Sequence, residues 1–487
     1  MGHPARMGNS VRPQAEVIAY PVPPGIEASP DYQVQAGDQN IFTYKTPVLS
    51  FATFSFRGEV EVVLTVNRPV KNPVVRPLGL GIKPVVEGNI LRFHINHPCR
   101  LVVEVDEDLR RPLFLFAEAV ETNAPQPGDP GVRYFPGGKV YEAGTIQLAN
   151  NETVYLAGGA VVRGVIRARN VTGARILGPG ILDASVRPAK AKMVELNHCR
   201  NIEMNGPIVL GSHGWTIVPE FSEDIRLRNL KVLGWRDNDD GVDVVSSRRV
   251  TVDNCIFRTK DDCIAVKALV DTGTSTIATD NFEPVTPPLD TIGPSQSNVE
   301  DVRVMNSTFW STSFGHVLTV GFELRAARIH NIVFQDCDII KKEAGAALSI
   351  DNADFGVVED VRFENIRVED GCDKLLMLQV GFFKYSGDCP LEYARRNPAR
   401  KESEGAGWSQ LANERRFQQR GAIRNVQLSN IQIAGDRLPD SAILGWNSAQ
   451  DITNVVFKDV TFHGKPLGSA SEAKLKLETA ADVTFAK

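Results

Sequence analysis

Two short acidic runs carry the strongest chemical signal in this 487-residue chain. Asn238-Asp239-Asp240-Gly241 is followed by Lys260-Asp261-Asp262-Cys263, which places Asp240 and Asp262 22 residues apart. Cleaving a glycosidic bond requires one carboxylic acid to protonate the leaving oxygen and a second carboxylate to activate water or attack the anomeric carbon. Three acids on adjacent turns can divide these tasks, because like charges a few ångströms apart cannot all ionise and one keeps its proton. Asp-rich turns also solvate coil corners or hold calcium. Gly315-His316, further along, joins the acids and favours catalysis over that blander reading.

A 22-residue offset stacks two side chains only if the backbone coils with about that period. The chain repeats a phrase of Asn or Asp, alternating apolar residues, and Asn or Asp again, as in Asp224-Ile225-Arg226-Leu227-Arg228-Asn229 and Asp360-Val361-Arg362-Phe363-Glu364-Asn365. Starts at 201, 224, 249, 301, 331, 360, 425 and 454 give intervals of 23, 25, 52, 30, 29, 65 and 29. The apolar period is two, not 3.6, so the repeat is built from strands. Short strands, Asn-rich turns and this period predict a right-handed parallel β-helix over 135–487. The two long intervals mark insertions at 269–298 and 383–420. The first is expected to lie over the face that carries the acids; the second, rich in basic and aromatic residues, reads as a solvated excursion.

Ahead of the repeat, 14–121 alternate like half-buried strands, for example Val60-Glu61-Val62 and Leu91-Arg92-Phe93-His94-Ile95, separated by turn signals such as Glu87-Gly88-Asn89. These predict a small β-sandwich. The run Asn123-Ala124-Pro125-Gln126-Pro127-Gly128-Asp129-Pro130-Gly131 has no apolar period, and 122–134 read as a linker. The whole is an all-β chain.

With 54 basic and 59 acidic residues the net charge is −5, which gives no electrostatic case for nucleic acid or an anionic membrane as partner. Seven cysteines lack paired ligand spacing, so neither metal nor cofactor is expected. Cys255 and Cys337 fall at the same place in two copies of the repeat, where inward thiols pack as small apolar groups. No apolar run reaches about 18 residues, so no spanning helix is expected. The residues Met1 to Met7 carry no hydrophobic signal core, and the compartment stays open. No stretch signals an oligomer interface.

The residues resemble the polygalacturonase family of glycoside hydrolases, whose pattern is Asn-Thr-Asp-Gly, then Gly- or Gln-Asp-Asp-Cys, then Gly-His-Gly, then Arg-Ile-Lys. Here these are Asn238-Asp239-Asp240-Gly241, Lys260-Asp261-Asp262-Cys263 and Phe314-Gly315-His316-Val317, and the resemblance covers most of 135–470. It implies that Asp261 is the general acid, that Asp240 and Asp262 jointly activate water with inversion, that Asn238 orients Asp240 or a sugar hydroxyl, and that His316 lies close to the acid. The place of Arg-Ile-Lys reads Ser349-Ile350-Asp351, so the basic clamp on a uronate carboxylate is missing there. Lys260, Lys267, Arg325 or the basic insertion could replace it. Trp215 could stack on a sugar ring or sit in the core. With Gly315, these complete the expected substrate contacts.

A sandwich ahead of a β-helix also resembles the layout of dextranases, which act on a neutral α-glucan. The expected partner is therefore a polysaccharide or oligosaccharide, either pectin-type or neutral. Two other classes remain. A β-helical lyase or epimerase would need a cation or base beside a uronate carboxylate, and a non-catalytic glycan-binding module would use the acids only as solvated corners.

Overall fold

A computed structural model describes residues 15–187, 190–269, 297–371, 373–381, 386, 420–446 and 451–486. Most of the two expected insertions, with Cys372 and Cys389, lies outside the described residues. The chain divides into two compact units, one up to Ala124 with Gly137–Lys139, the other Pro125–Pro136 with Val140 onward.

The first unit packs two sheets around one core. One sheet has the order Glu16–Ala19, Ser50–Arg57, Leu113–Ala119, Cys99–Val105, Pro73–Arg76, and the other Gln39–Ile41, Tyr32–Ala36, Val60–Val66, Ile90–Ile95, Val85–Glu87. Val60–Val66 shows why the chain forms strands: Val60, Val62, Leu64 and Val66 are buried while Glu61, Val63 and Thr65 are half-buried. Phe54, Leu101 and Leu115 from the first sheet meet Val34, Leu64 and Leu91 from the second in a single cluster.

The second unit is a right-handed parallel β-helix whose strands join one continuous sheet. All eight repeat phrases stack in register: Ile202, Ile225, Val250, Val302, Ile332, Val361, Val426 and Val455 are successive partners, closed by Val483. Each of the eight is buried, and burying one such side chain stabilises by about 1.5–3 kcal/mol. The residues that open and close the phrase take left-handed backbone conformations, Asn331 (φ 56°) and Asp336 (φ 54°) or Asn425 (φ 56°) and Asn430 (φ 51°) being examples. Asn and Asp tolerate that region best among residues with a side chain, which explains the composition of the repeat. Their side chains then bond from coil to coil, Asn454 Nδ2 to Asn425 Oδ1 at 2.9 Å and Asn430 Nδ2 to Asn365 Oδ1 at 2.9 Å.

The boundaries differ from the expected ones in two respects, the first being that Gly137–Lys139 belong to the first unit and Pro125–Pro136 to the second. Val132–Phe135 already pairs in parallel with Thr153–Leu156, so the first coil begins inside 122–134. Val132-Arg133-Tyr134-Phe135 is a short strand directly after Pro130-Gly131, too short to announce itself by period alone. The five described cysteines are buried. Cys255 and Cys337 do share one column, but Ser307 stands between them and its Oγ accepts the Cys255 amide at 3.0 Å.

Candidate active site

Three strands make each coil. The acids sit in turns that lead into the strands Val242–Val245 and Ile264–Ala268, and His316 in the turn that leads into Leu318–Leu324. Val242 pairs with Ile264, the same 22-residue offset that separates Asp240 from Asp262. The backbone carries the stack through the turns: Thr216 donates to the Asp240 carbonyl (2.9 Å), Gly241 to that of Asp262 (2.8 Å) and Cys263 to that of His316 (3.0 Å). Trp215, Asp240, Asp262 and His316 are therefore brought onto four successive rungs. Asp240, Asp261 and Asp262 place one oxygen each within 4.8 Å of one another. Asp240 and Asp262 are buried and Asp261 is half-buried.

Positioning comes from residues the acid pattern hides. Asp239 Oδ1 accepts the amides of Lys260 (2.6 Å) and Asp261 (3.2 Å), and its Oδ2 accepts that of Arg236 (2.9 Å). One coil thus clips the acidic turn of the next. The Asp261 carbonyl accepts from Thr259 Oγ1 (2.7 Å) and Ser311 Oγ (3.1 Å), and buried Lys342 donates to Ser311 Oγ (2.9 Å) and the Phe314 carbonyl (3.1 Å). Asp262 Oδ1 accepts the amide of His316 at 2.5 Å. Gly315, at φ 62°, has no room for a side chain: a β-carbon there would stand 2.5 Å from an oxygen of Asp261 and of Asp262.

The His316 ring turns elsewhere than expected from its motif. Its Nδ1 accepts the Ala346 amide at 3.0 Å, which places the proton of the neutral ring on Nε2, facing Asp351 Oδ2 at 3.4 Å. Asp351 is buried, burial raises its pKa, and His316 opposes the rise. The position expected to have lost a basic clamp is thus filled by a carboxylate that engages the histidine.

The cationic candidates are each engaged by acids of the protein. Lys260 Nζ bonds Asp237 at 2.5 Å and lies 5.4 Å from the Phe314 ring centre. Arg325 pairs with Asp354 at 3.4 Å. Lys267 is buried between Asp243 (3.1 Å), Asp240 (3.6 Å) and Glu323 (3.9 Å), with its ammonium 4.0 Å from the Trp215 ring centre. Trp215 is only 8% exposed and packs with Val218 and Val245. Asn238 Oδ1 accepts from Lys190, half-buried beside the acids. Phe314, 54% exposed next to Gly315, is an aromatic surface that its motif did not single out.

Burial, then Asp243 and Asp261, push Asp240 well above the ordinary carboxylate range, with Lys267 pulling it back. Burial and then Asp262 push Asp261 up to about 6. Burial pushes Asp243 up to about 7 against Lys267. Burial alone would discharge Lys267, but Asp243, Glu323 and Asp240 outweigh it and hold its pKa well above the usual range. The carboxylates of this cluster therefore share protons in mildly acidic solution. Its donors are all carboxylates, and the positive charge among them is an ammonium.

Residues 165–380 match the model of glycosyl hydrolases family 28. The matched segment begins in the strand Ala160–Arg169, three coils before that of Val242, and ends in the strand Lys374–Val380 that carries Gln379. An endo-polygalacturonase of Pectobacterium carotovorum subsp. carotovorum is 20% identical over 226 residues, 41% of this chain and 49% of the relative. A polygalacturonase of Chamaecyparis obtusa is 28% identical over 75 residues, 15% of each. The chain thus spans about half the length of the first of these relatives. Among solved structures, Dex49A from Penicillium minioluteum covers 96% of both chains with TM-score 0.60 at 13% identity, a likeness of fold.

Proposed function

We propose that the protein is a glycoside hydrolase of pectin-type polysaccharide or oligosaccharide, with Asp261 as general acid and Asp240 and Asp262 as the pair that activates water. The observation that carries this reading is the convergence of the three carboxylates within 4.8 Å on consecutive coils, inside a segment that matches family 28. Asp261, the more exposed acid, is the one a leaving oxygen can reach, and its pKa of about 6 lets it hold a proton in mildly acidic solution. Asp240 Oδ1 is buried without a hydrogen-bond partner among the described residues, an acceptor suited to a water proton. Asp262 keeps one oxygen on the His316 amide and leaves the other for the same water. Phe314 offers a ring face on which a sugar can stack at the edge of the site.

Inversion is part of the proposal through the motif resemblance, not through distance. Oxygens within 4.8 Å are closer than the roughly 6.5–9.5 Å usual for inverting pairs. The anomer released first, read by proton NMR on a defined oligosaccharide, decides the stereochemistry.

A neutral α-glucan is the second reading, favoured by buried Asp351 and by the pairing of Lys260, Lys267 and Arg325 with acids of the chain itself. Reducing-sugar release from polygalacturonate, rhamnogalacturonan and dextran, compared between wild type and Asp261→Asn, separates the two. Turnover of one polymer that the substitution abolishes supports hydrolysis and names the substrate; binding without turnover on any of them overturns it.

A further inference from the structure

Asp240 poses a problem for any mechanism in which it takes a proton from water. It is buried among Asp243, Asp261 and Asp262, and both burial and like charge favour its neutral form. A protonated carboxyl cannot act as a base. The structure contains a countercharge that the acid motif does not reveal. Strand pairing sets Val245 against Lys267, so that the lysine extends along the outer face of the sheet below the acids. Its ammonium meets Asp243 at 3.1 Å, Asp240 at 3.6 Å and Glu323 at 3.9 Å, and the ring of Trp215 covers it at 4.0 Å. Trp215 itself lies on the coil before Asp240, held there by the Thr216 amide on the Asp240 carbonyl.

We propose that Lys267 is a positioning residue that acts through Asp240: its buried ammonium, shared among Asp240, Asp243 and Glu323 and closed off by Trp215, favours the ionised form of the water-activating carboxylate. This rests on the hydrolase reading above and assigns Lys267 to the acids, not to the sugar. Two features support it. The side chain of Lys267 is 7% exposed, too enclosed to meet a polymer, and all three of its carboxylate partners come from the chain. An unscreened buried ion pair also acts strongly on its neighbour's proton affinity, where a surface pair would not. Trp215 then works as the lid of the ammonium, leaving sugar stacking to the exposed Phe314. Groups facing the cluster from the remaining elements are Asp261, Asp262 and, from the following coils, Lys342 near the two acids and His316 bound to Asp351.

The test is a pair of substitutions with opposite expected signs. Removing the positive charge in Lys267→Met should move the whole pH–rate profile upward by about one unit, with kcat/KM at mildly acidic pH falling about tenfold and KM changing little. Removing a facing negative charge in Glu323→Gln should move the profile downward, and Lys267→Arg should hold it near wild type. A raised KM with an unmoved profile in Lys267→Met would assign the lysine to substrate, and unmoved profiles in both variants would also overturn the proposal. Infrared titration of the carboxylic acid band in substrate-free protein separates this from the hydrolase reading. The band should persist to higher pH in Lys267→Met even if no polymer is turned over; an unchanged band would sink the proposal alone. If Lys267→Met does not fold, Glu323→Gln carries the test by both readouts.

Discussion

The backbone of Gly315 lies against the carboxylates of both Asp261 and Asp262, on the rung that also delivers the His316 amide to Asp262 Oδ1. A methyl group at Gly315 meets an oxygen of each acid at 2.5 Å, and φ of 62° adds backbone strain. Gly315→Ala should therefore fold, because its coil keeps its neighbours, yet lose about 10²-fold in kcat, the usual cost of displacing reacting groups by an ångström. Circular dichroism and kcat on the same preparation check both halves.

Activity should decline as pH rises through about 6, as Asp261 loses the proton it must donate. Asp261→Asn should remove at least about 10²-fold of the rate at every pH, since the amide cannot protonate a leaving group. A pH–rate profile of Asp261→Asn that keeps the wild-type height and alkaline limb would place the acid elsewhere.

Stability should also follow pH through the cluster. Burial raises Asp243 to about 7 in the folded chain, above its value when unfolded. The stabilisation from its bound proton is complete below about 4 and is lost as pH rises through about 7. The melting temperature should fall over that interval, and Asp243→Asn should flatten the fall. Thermal melts of both proteins at pH 5 and pH 8 test the sign.

The Asn columns make a separate prediction about the scaffold. Asn425 sits at φ 56°, donates to Asp360 Oδ1 at 3.0 Å and accepts from Asn454 at 2.9 Å. Asn425→Ala loses both bonds and adds strain, and should cost about 1–3 kcal/mol. Asn425→Gly, which relieves the strain but not the loss of bonds, should cost less. Urea titrations of the two variants give the comparison.

Much of this was legible because it depended on spacing. The offset between Asp240 and Asp262 equals the strand register between Val242 and Ile264, and the repeat phrase marks its left-handed turns with Asn and Asp. The destinations of long side chains were not legible. Lys260, Lys267 and Trp215 look equally free to contact a sugar in one dimension, and only the register brings the Lys267 ammonium against both Asp240 and the Trp215 ring. Glu323 escaped notice as a lone acid in an apolar strand, and Asp243, three residues after Asp240, read only as the end of the acidic run. Asp239 was given no role in the acidic run, although it accepts two amides of the neighbouring turn and one, that of Arg236, from its own. Asp351 drew attention as a missing base, whereas in space it is the partner of His316.

Each coil of the long sheet bonds to the coil before and the coil after, so opening the chain resembles unzipping a row from its ends. Amides of Ala481–Ala486, half-buried or exposed throughout the last described strand of the sheet, should exchange with solvent deuterium early. Those of Gly241 and Cys263, locked to the carbonyls of Asp262 and His316 with coils on both sides, should exchange last. The reacting groups thus occupy the part of the row whose exposure requires the most prior opening, and partial loss of the terminal coils leaves their geometry in place.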